Sequence, residues 1–153
     1  MLQVGDTAPS MSISDQDDTK RSLADFKGQK LVVYFYPKDN TPGCTIESCG
    51  FRDAYQSFKA AGAEVIGVSR DSAKKHQNFI KKYDLPFMLL ADVESELCDA
   101  FGVIKEKSMF GKKYMGIERS TFLIDEKGVI RHVWPKVKIT GHVDDVLETI
   151  RSI

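Results

Sequence analysis

Apolar residues follow two periodicities along this chain, and the two alternate. Residues 31–36 (Leu-Val-Val-Tyr-Phe-Tyr), 63–69 and 87–91 are apolar runs rich in β-branched and aromatic side chains. Each reads as a strand buried on both faces, and Pro37 stops the first. Between them the apolar positions recur at helical spacing. Phe51, Ala54, Tyr55, Phe58 and Ala61 mark one side of a helix over 41–61, which Gly62 closes. Ser72 caps a second helix carrying His76, Phe79, Ile80 and Tyr83, and Ser95 starts a short third helix through Phe101.

The flanks are less apolar. Residues 10–23, around Asp15-Gln16-Asp17-Asp18, read as a β-hairpin with an acidic turn. Residues 121–124 and 129–134 read as two strands joined by a turn at Asp125-Glu126-Lys127-Gly128, and 143–150 as a last helix. Residues 102–118, basic and containing Gly111 and Gly116, read as a loop. Helical crossovers between buried strands imply an α/β fold with a mixed central sheet and helices on both faces. The order fits a thioredoxin-like fold with an N-terminal β-hairpin extension, as a single domain over 1–153.

Composition narrows the function. The chain has 153 residues, 42% hydrophobic and 29% charged, which suits one globular domain rather than a disordered segment. Lys plus Arg is 22 and Asp plus Glu is 22. With no basic excess, neither a nucleic-acid nor an anionic-membrane partner is expected. The longest strongly apolar run has six residues, against the roughly 20 of a membrane helix. Neither a secretory signal nor an Arg-rich transit peptide is recognised at the start, and three cysteines do not make a disulfide scaffold. A reducing cytoplasm is the expected location, and any disulfide would be transient and chemical.

The chemistry is concentrated in Tyr36-Pro37-Lys38-Asp39-Asn40-Thr41-Pro42-Gly43-Cys44-Thr45-Ile46-Glu47-Ser48-Cys49, where a buried strand hands over to a long helix. Open α/β sheets place ligands at the carboxyl ends of strands. Thr41 is a good N-cap and Pro42 then falls at the first helical position. That register puts Cys44 at the third helical residue, among unpaired backbone N–H groups that favour a thiolate. Bringing a thiol from about 8.5 to about 6 requires roughly 3.4 kcal/mol. A helix terminus supplies about 0.3–1 kcal/mol, up to about 2 in good geometry. A cation is therefore expected, with Lys38, Arg52, Arg70 and Arg119 as candidates.

Cys49 lies five residues beyond Cys44. In an ideal helix that spacing is a rise of about 7.5 Å and a turn of about 140°, a Cα separation of roughly 8.6 Å. Disulfides rarely exceed about 6.8 Å. If the two sulfurs bond, the first turn must unwind. Cys98, beside Leu97, Ala100 and Phe101, reads as a structural or incidental thiol, with a resolving role as the alternative. No His-x3–5-His or second cysteine pair completes a zinc site with Cys44 and Cys49. The lysines at 105, 107, 112 and 113 read as a solvated loop or an edge that meets a reductant, and Trp134 and Tyr114 as packing or pocket-rim residues.

Pro37-x-x-x-Thr41-x-x-Cys44 resembles the peroxiredoxin active-site motif. Gly43-Cys44-Thr45-x-Glu47-x-Cys49 after Phe35-Tyr36-Pro37 is similar to the bacterioferritin-comigratory (Q-type) subfamily. Val4-Gly5-Asp6-x-Ala8-Pro9, residues 119–125, and Trp134-x-Lys136-Val137 with His142 extend the likeness over nearly the whole chain. The resemblance implies a peroxidase for hydrogen peroxide and organic hydroperoxides. Cys44 would attack the O–O bond and become a sulfenic acid. Arg119 would stabilise the thiolate and the developing charge. Thr41 would hydrogen-bond the peroxide oxygen and the sulfur, Pro37 would shield and shape the pocket, and the N–H groups of Gly43 and Cys44 would act as an oxyanion site. Cys49 would resolve the sulfenic acid as a Cys44–Cys49 disulfide, recycled by thioredoxin. The resemblance implies a monomer with no metal or organic cofactor. Two other readings use the same thiols: a non-enzymatic peroxide sensor, and a general thiol-disulfide oxidoreductase. The second would want a cysteine where Thr41 stands.

Overall fold

The computed structural model describes residues 1–153. In chain order the elements are β1 (Ile13–Ser14), β2 (Lys20–Arg21), β3 (Lys30–Phe35), α1 (Pro42–Ala60), β4 (Ala63–Ser69), α2 (Ala73–Tyr83), β5 (Leu89–Ala91), α3 (Glu96–Phe101), β6 (Ile104–Met109), β7 (Lys112–Ile117), β8 (Ser120–Ile124), β9 (Ile130–Trp134) and α4 (His142–Arg151). A 3-10 turn, Leu23–Phe26, precedes β3.

Five strands form one mixed sheet in the order β5-β4-β3-β8-β9. β3 runs parallel to β4, and β4 to β5, with α1 and α2 as the crossovers that parallel pairing needs. β8 is antiparallel to both β3 and β9. The sheet is buried on both faces, which is why β3 reads as a continuous apolar run. Its alternation splits the core in two. Val32, Tyr34 and Tyr36 pack with Phe51 and Phe58 of α1, Phe79 of α2, and Val146 and Ile150 of α4. Leu31, Val33 and Phe35 pack with Leu97, Cys98 and Phe101 of α3, and with Ile13 and Leu23. Helices thus cover both faces, as the order of elements predicts.

Gly67 in β4 makes room for Tyr34. A Cβ there would lie 2.8 Å from Tyr34 Cζ and 2.7 Å from Leu89 Cδ2. The seated Tyr34 hydroxyl then meets Ser48 Oγ at 2.9 Å and pins the second turn of α1 to the sheet.

Residues 102–118, expected as a loop, are a hairpin: β6 and β7 pair antiparallel through Met109↔Lys112. The two residues between, Phe110 and Gly111, both have positive φ (52° and 78°), the geometry of a tight hairpin turn. The pattern was hidden because most of the hairpin is solvated, so no apolar alternation marks it. α3 starts directly after Ser95 and ends at Phe101, as the sequence reads, and Asp92 accepts from the N–H groups of Leu97 and Cys98.

Candidate active site

The site forms where β3 hands over to α1. The β3–β8 register pairs Phe35 with Ser120, so the residue before Ser120 lies beside the loop after Phe35. That residue is Arg119. Its Nη2 donates to Cys44 Sγ at 3.3 Å, and its Nη1 donates to Glu47 Oε1 at 2.7 Å. The fold therefore selects one cation from the four candidates. Arg52 is engaged by Asp53 and the Tyr83 carbonyl, Arg70 by the Met115 carbonyl, and Lys38 is exposed.

Cys44 is the third residue of α1, after Thr41 at the N-cap position and Pro42 at the first helical position, as the spacing predicts. Its side chain is recessed, with 1% exposure. Thr41 has the extended backbone of an N-cap, but its side chain makes no capping bond. Its Oγ1 donates to the Lys38 carbonyl at 2.9 Å instead. Asn40, at φ 61°, turns the loop back and brings that carbonyl within reach. The hydroxyl's lone pairs are left to accept. Pro37 is exposed at the start of the same loop.

Gly43 is fitted against the guanidinium. A Cβ there would sit 3.2 Å from Arg119 Nη2 and 3.1 Å from Ile139 Cδ1. Partial burial works against the Arg119 charge, but Glu47 and Cys44 outweigh it and hold the guanidinium above its ordinary pKa. Glu47 is buried, and its Oε2 has no partner. Burial pushes the Glu47 carboxyl up to about 7, against the opposing pull of Arg119.

Cys49 is half-buried on the same unbroken helix, and all three cysteines are free thiols. Cys98 is buried in the core on the other face of the sheet from Cys44. Burial, and then Asp92, push its thiol well above the ordinary range. It packs among Leu97 and Phe101, the neighbours that mark its apolar face in the sequence. His142 Nε2 meets Thr121 Oγ1 at 2.8 Å, and burial pushes its pKa down to about 4. Trp134 stacks edge-on against that ring and donates to Asp145 at 2.8 Å, a packing role.

The sequence alone gives no role to Glu47 or to the pair Asp39–His76. Glu47 carried a signal: it lies three residues after Cys44, on the helix side that Phe51 marks as inward. Asp39 and His76 are 37 residues apart, and nothing in the spacing joins them.

The chain resembles known proteins over nearly its whole length. The AhpC/TSA family profile matches residues 4–133. A putative peroxiredoxin bcp of Coxiella burnetii is 53% identical over 95% of this chain and 97% of its own. Peroxiredoxin Bcp of Bacillus subtilis is 49% identical over 99% and 97%. Among solved structures, a cysteine variant of Xylella fastidiosa PrxQ superposes with a TM-score of 0.94 at 41% identity, covering 99% and 97% of the two chains. Xanthomonas campestris bacterioferritin comigratory protein, described for its alkyl peroxide reduction activity, gives 0.90 at 44% identity over 96% and 98%. The chain belongs to the AhpC/TSA family, in its bacterioferritin-comigratory (Q-type) branch, and is a thiol-dependent peroxidase of thioredoxin-like fold.

Proposed function

We propose that Cys44 is the peroxidatic thiolate, Arg119 its charge partner and Cys49 the resolving thiol, with thioredoxin or a similar dithiol protein as reductant. The observation that carries this reading is the 3.3 Å contact of Arg119 Nη2 with Cys44 Sγ at the start of α1. A guanidinium hydrogen bond and a helix N-terminus both favour the thiolate.

The thiolate attacks the distal oxygen of ROOH. The O–O bond breaks, Cys44 gains the oxygen as a sulfenic acid, and RO⁻ leaves to be protonated as water or an alcohol. Thr41 Oγ1, already donating to Lys38, accepts the peroxide hydrogen. The Gly43 and Cys44 N–H groups lack helical partners at this position and face the developing oxyanion. Pro37, at the rim, limits the entry of water. Cys49 then condenses with the sulfenic acid, releasing water and forming the Cys44–Cys49 disulfide. An external dithiol takes over that disulfide by exchange. Hydrogen peroxide and organic hydroperoxides both fit this chemistry, which needs no metal or organic cofactor. The chain acts as a monomer in a reducing cytoplasm; no helix is long and apolar enough to cross a membrane.

The test is intact mass and peptide mapping of the reduced protein after one equivalent of peroxide. A loss of two hydrogens mapped to Cys44–Cys49, unchanged in Cys98→Ser, is expected. A persistent added oxygen on Cys44 would remove Cys49 from the mechanism, and no change would overturn the whole reading. Repeated turnover with a dithiol protein separates the enzyme from a one-shot sensor.

A further inference from the structure

The loop between β3 and α1 carries Pro37 and Thr41 and is held by a network of buried side chains centred on Asp39. Its centre, Asp39, is buried, while Pro37, Lys38 and Asn40 around it are exposed. Tyr36 OH donates to Asp39 Oδ1. Asp39 N–H donates at 2.8 Å to Asp71 Oδ2, which also accepts from Ser69 Oγ at 2.6 Å. His76 Nδ1 of α2 lies 2.6 Å from Asp39 Oδ2, and His76 Nε2 lies 2.9 Å from the Leu90 carbonyl of β5. A carbonyl only accepts, so Nε2 donates to Leu90, and Nδ1 and the Asp39 carboxyl share a short hydrogen bond. Both partners are buried.

This anchor bears directly on α1. The N–H of Thr45 donates to the Thr41 carbonyl at 2.9 Å. That acceptor stands two residues after Asp39 on the tethered loop, so the loop holds the group from which the first turn grows. Nucleating a helical turn is the costly step, and a fixed acceptor lowers that cost.

We propose that the Asp39–His76 pair is a positioning latch for the first turn of α1. It favours the helical form, in which Cys44 meets Arg119, and opposes the unwound form, in which Cys44 reaches Cys49. Neither residue touches the reacting atoms; they act through Thr41. The latch rests on the Cys44–Cys49 reading for its second consequence and not for its first.

The test is quenched-flow mixing of reduced protein with peroxide, thiols trapped by alkylation and read by mass, for wild type, His76→Gln, Asp39→Ala and Asp39→Asn. In His76→Gln and Asp39→Ala the peroxide-dependent loss of the Cys44 thiol slows, and closure of the sulfenic acid to the disulfide quickens. Each changes about fivefold, in the range one hydrogen-bonded contact controls. Asp39→Asn, whose amide can donate to a neutral His76 Nδ1, stays nearer wild type in both. General damage would slow both steps, and an idle pair would move neither; either result overturns the latch. Hydrogen exchange at the Thr45 amide of the reduced protein is read alongside. It must quicken in His76→Gln and Asp39→Ala, even if Cys49 proves not to resolve. Unchanged protection there overturns the latch, while absence of a disulfide in wild type overturns only the Cys49 assignment.

Discussion

Arg119 Nη2 meets Cys44 Sγ at 3.3 Å, although 75 residues separate the two in the chain. The same guanidinium reaches Glu47 Oε1, so one side chain serves a sulfur and a buried carboxylate in a single plane. A fork-shaped donor can do this and a point charge cannot.

Arg119→Lys should therefore lose most of the activity despite keeping the charge. One ammonium cannot hold both Sγ and Oε1 in the fork geometry. A hydrogen bond to a charged group contributes about 1.5–3 kcal/mol, so kcat/KM for peroxide should fall roughly 10- to 150-fold. Steady-state kinetics with a fixed reductant checks this; a Lys variant within about twofold of wild type would show that charge alone suffices.

Gly43→Ala should damage catalysis more than folding. Alanine is the better helix former, and φ here does not require glycine. Its Cβ would press on Arg119 Nη2 at 3.2 Å and Ile139 Cδ1 at 3.1 Å. The expected result is a several-fold drop in the rate of Cys44 oxidation with a Tm close to wild type.

Two buried groups should give opposing pH dependences of stability. Glu47 is raised from 4.5 to about 7, so between those values the folded state holds a proton the unfolded chain has lost, and stability falls as pH rises. His142 is lowered from 6.5 to about 4, so in that window the unfolded chain holds the extra proton, and stability rises with pH. From pH 4.5 to 6.5 the two oppose each other. Urea unfolding across this range should show Glu47→Gln gaining stability with pH relative to wild type, and His142→Gln losing it. Parallel curves for the three proteins would contradict the assignment.

Phe110→Asn should stabilise the β6–β7 hairpin. Phe110 is 97% exposed and holds φ 52°, a conformation that asparagine tolerates better than phenylalanine. The change creates Asn-Gly, the favoured pair for a turn with two positive φ values. A gain of about 0.5–1 kcal/mol is expected, read as a higher Tm with unchanged peroxidase activity.

Hydrophobic periodicity and turn chemistry sufficed for much of this protein. Residues 31–36 read as a central strand because both faces of β3 are buried, and Thr41-Pro42-Gly43-Cys44 placed the sulfur in the first turn because capping and proline preferences are local. The motif that carries the family resemblance is local as well. Other features arise only when distant segments meet. Arg119, which the resemblance already names, is set beside Cys44 by the β3–β8 register, which no single segment encodes. Glu47 becomes a shifted acid only when the fold closes water out from around it. Asp39 and His76 pair because α2 packs beside the β3–α1 loop. The β6–β7 hairpin leaves no mark in the hydrophobic pattern, because a solvated ribbon needs no apolar alternation. Backbone preference and burial are written residue by residue, whereas the sharing of a proton or a charge depends on distances that the packed sheet and helices set.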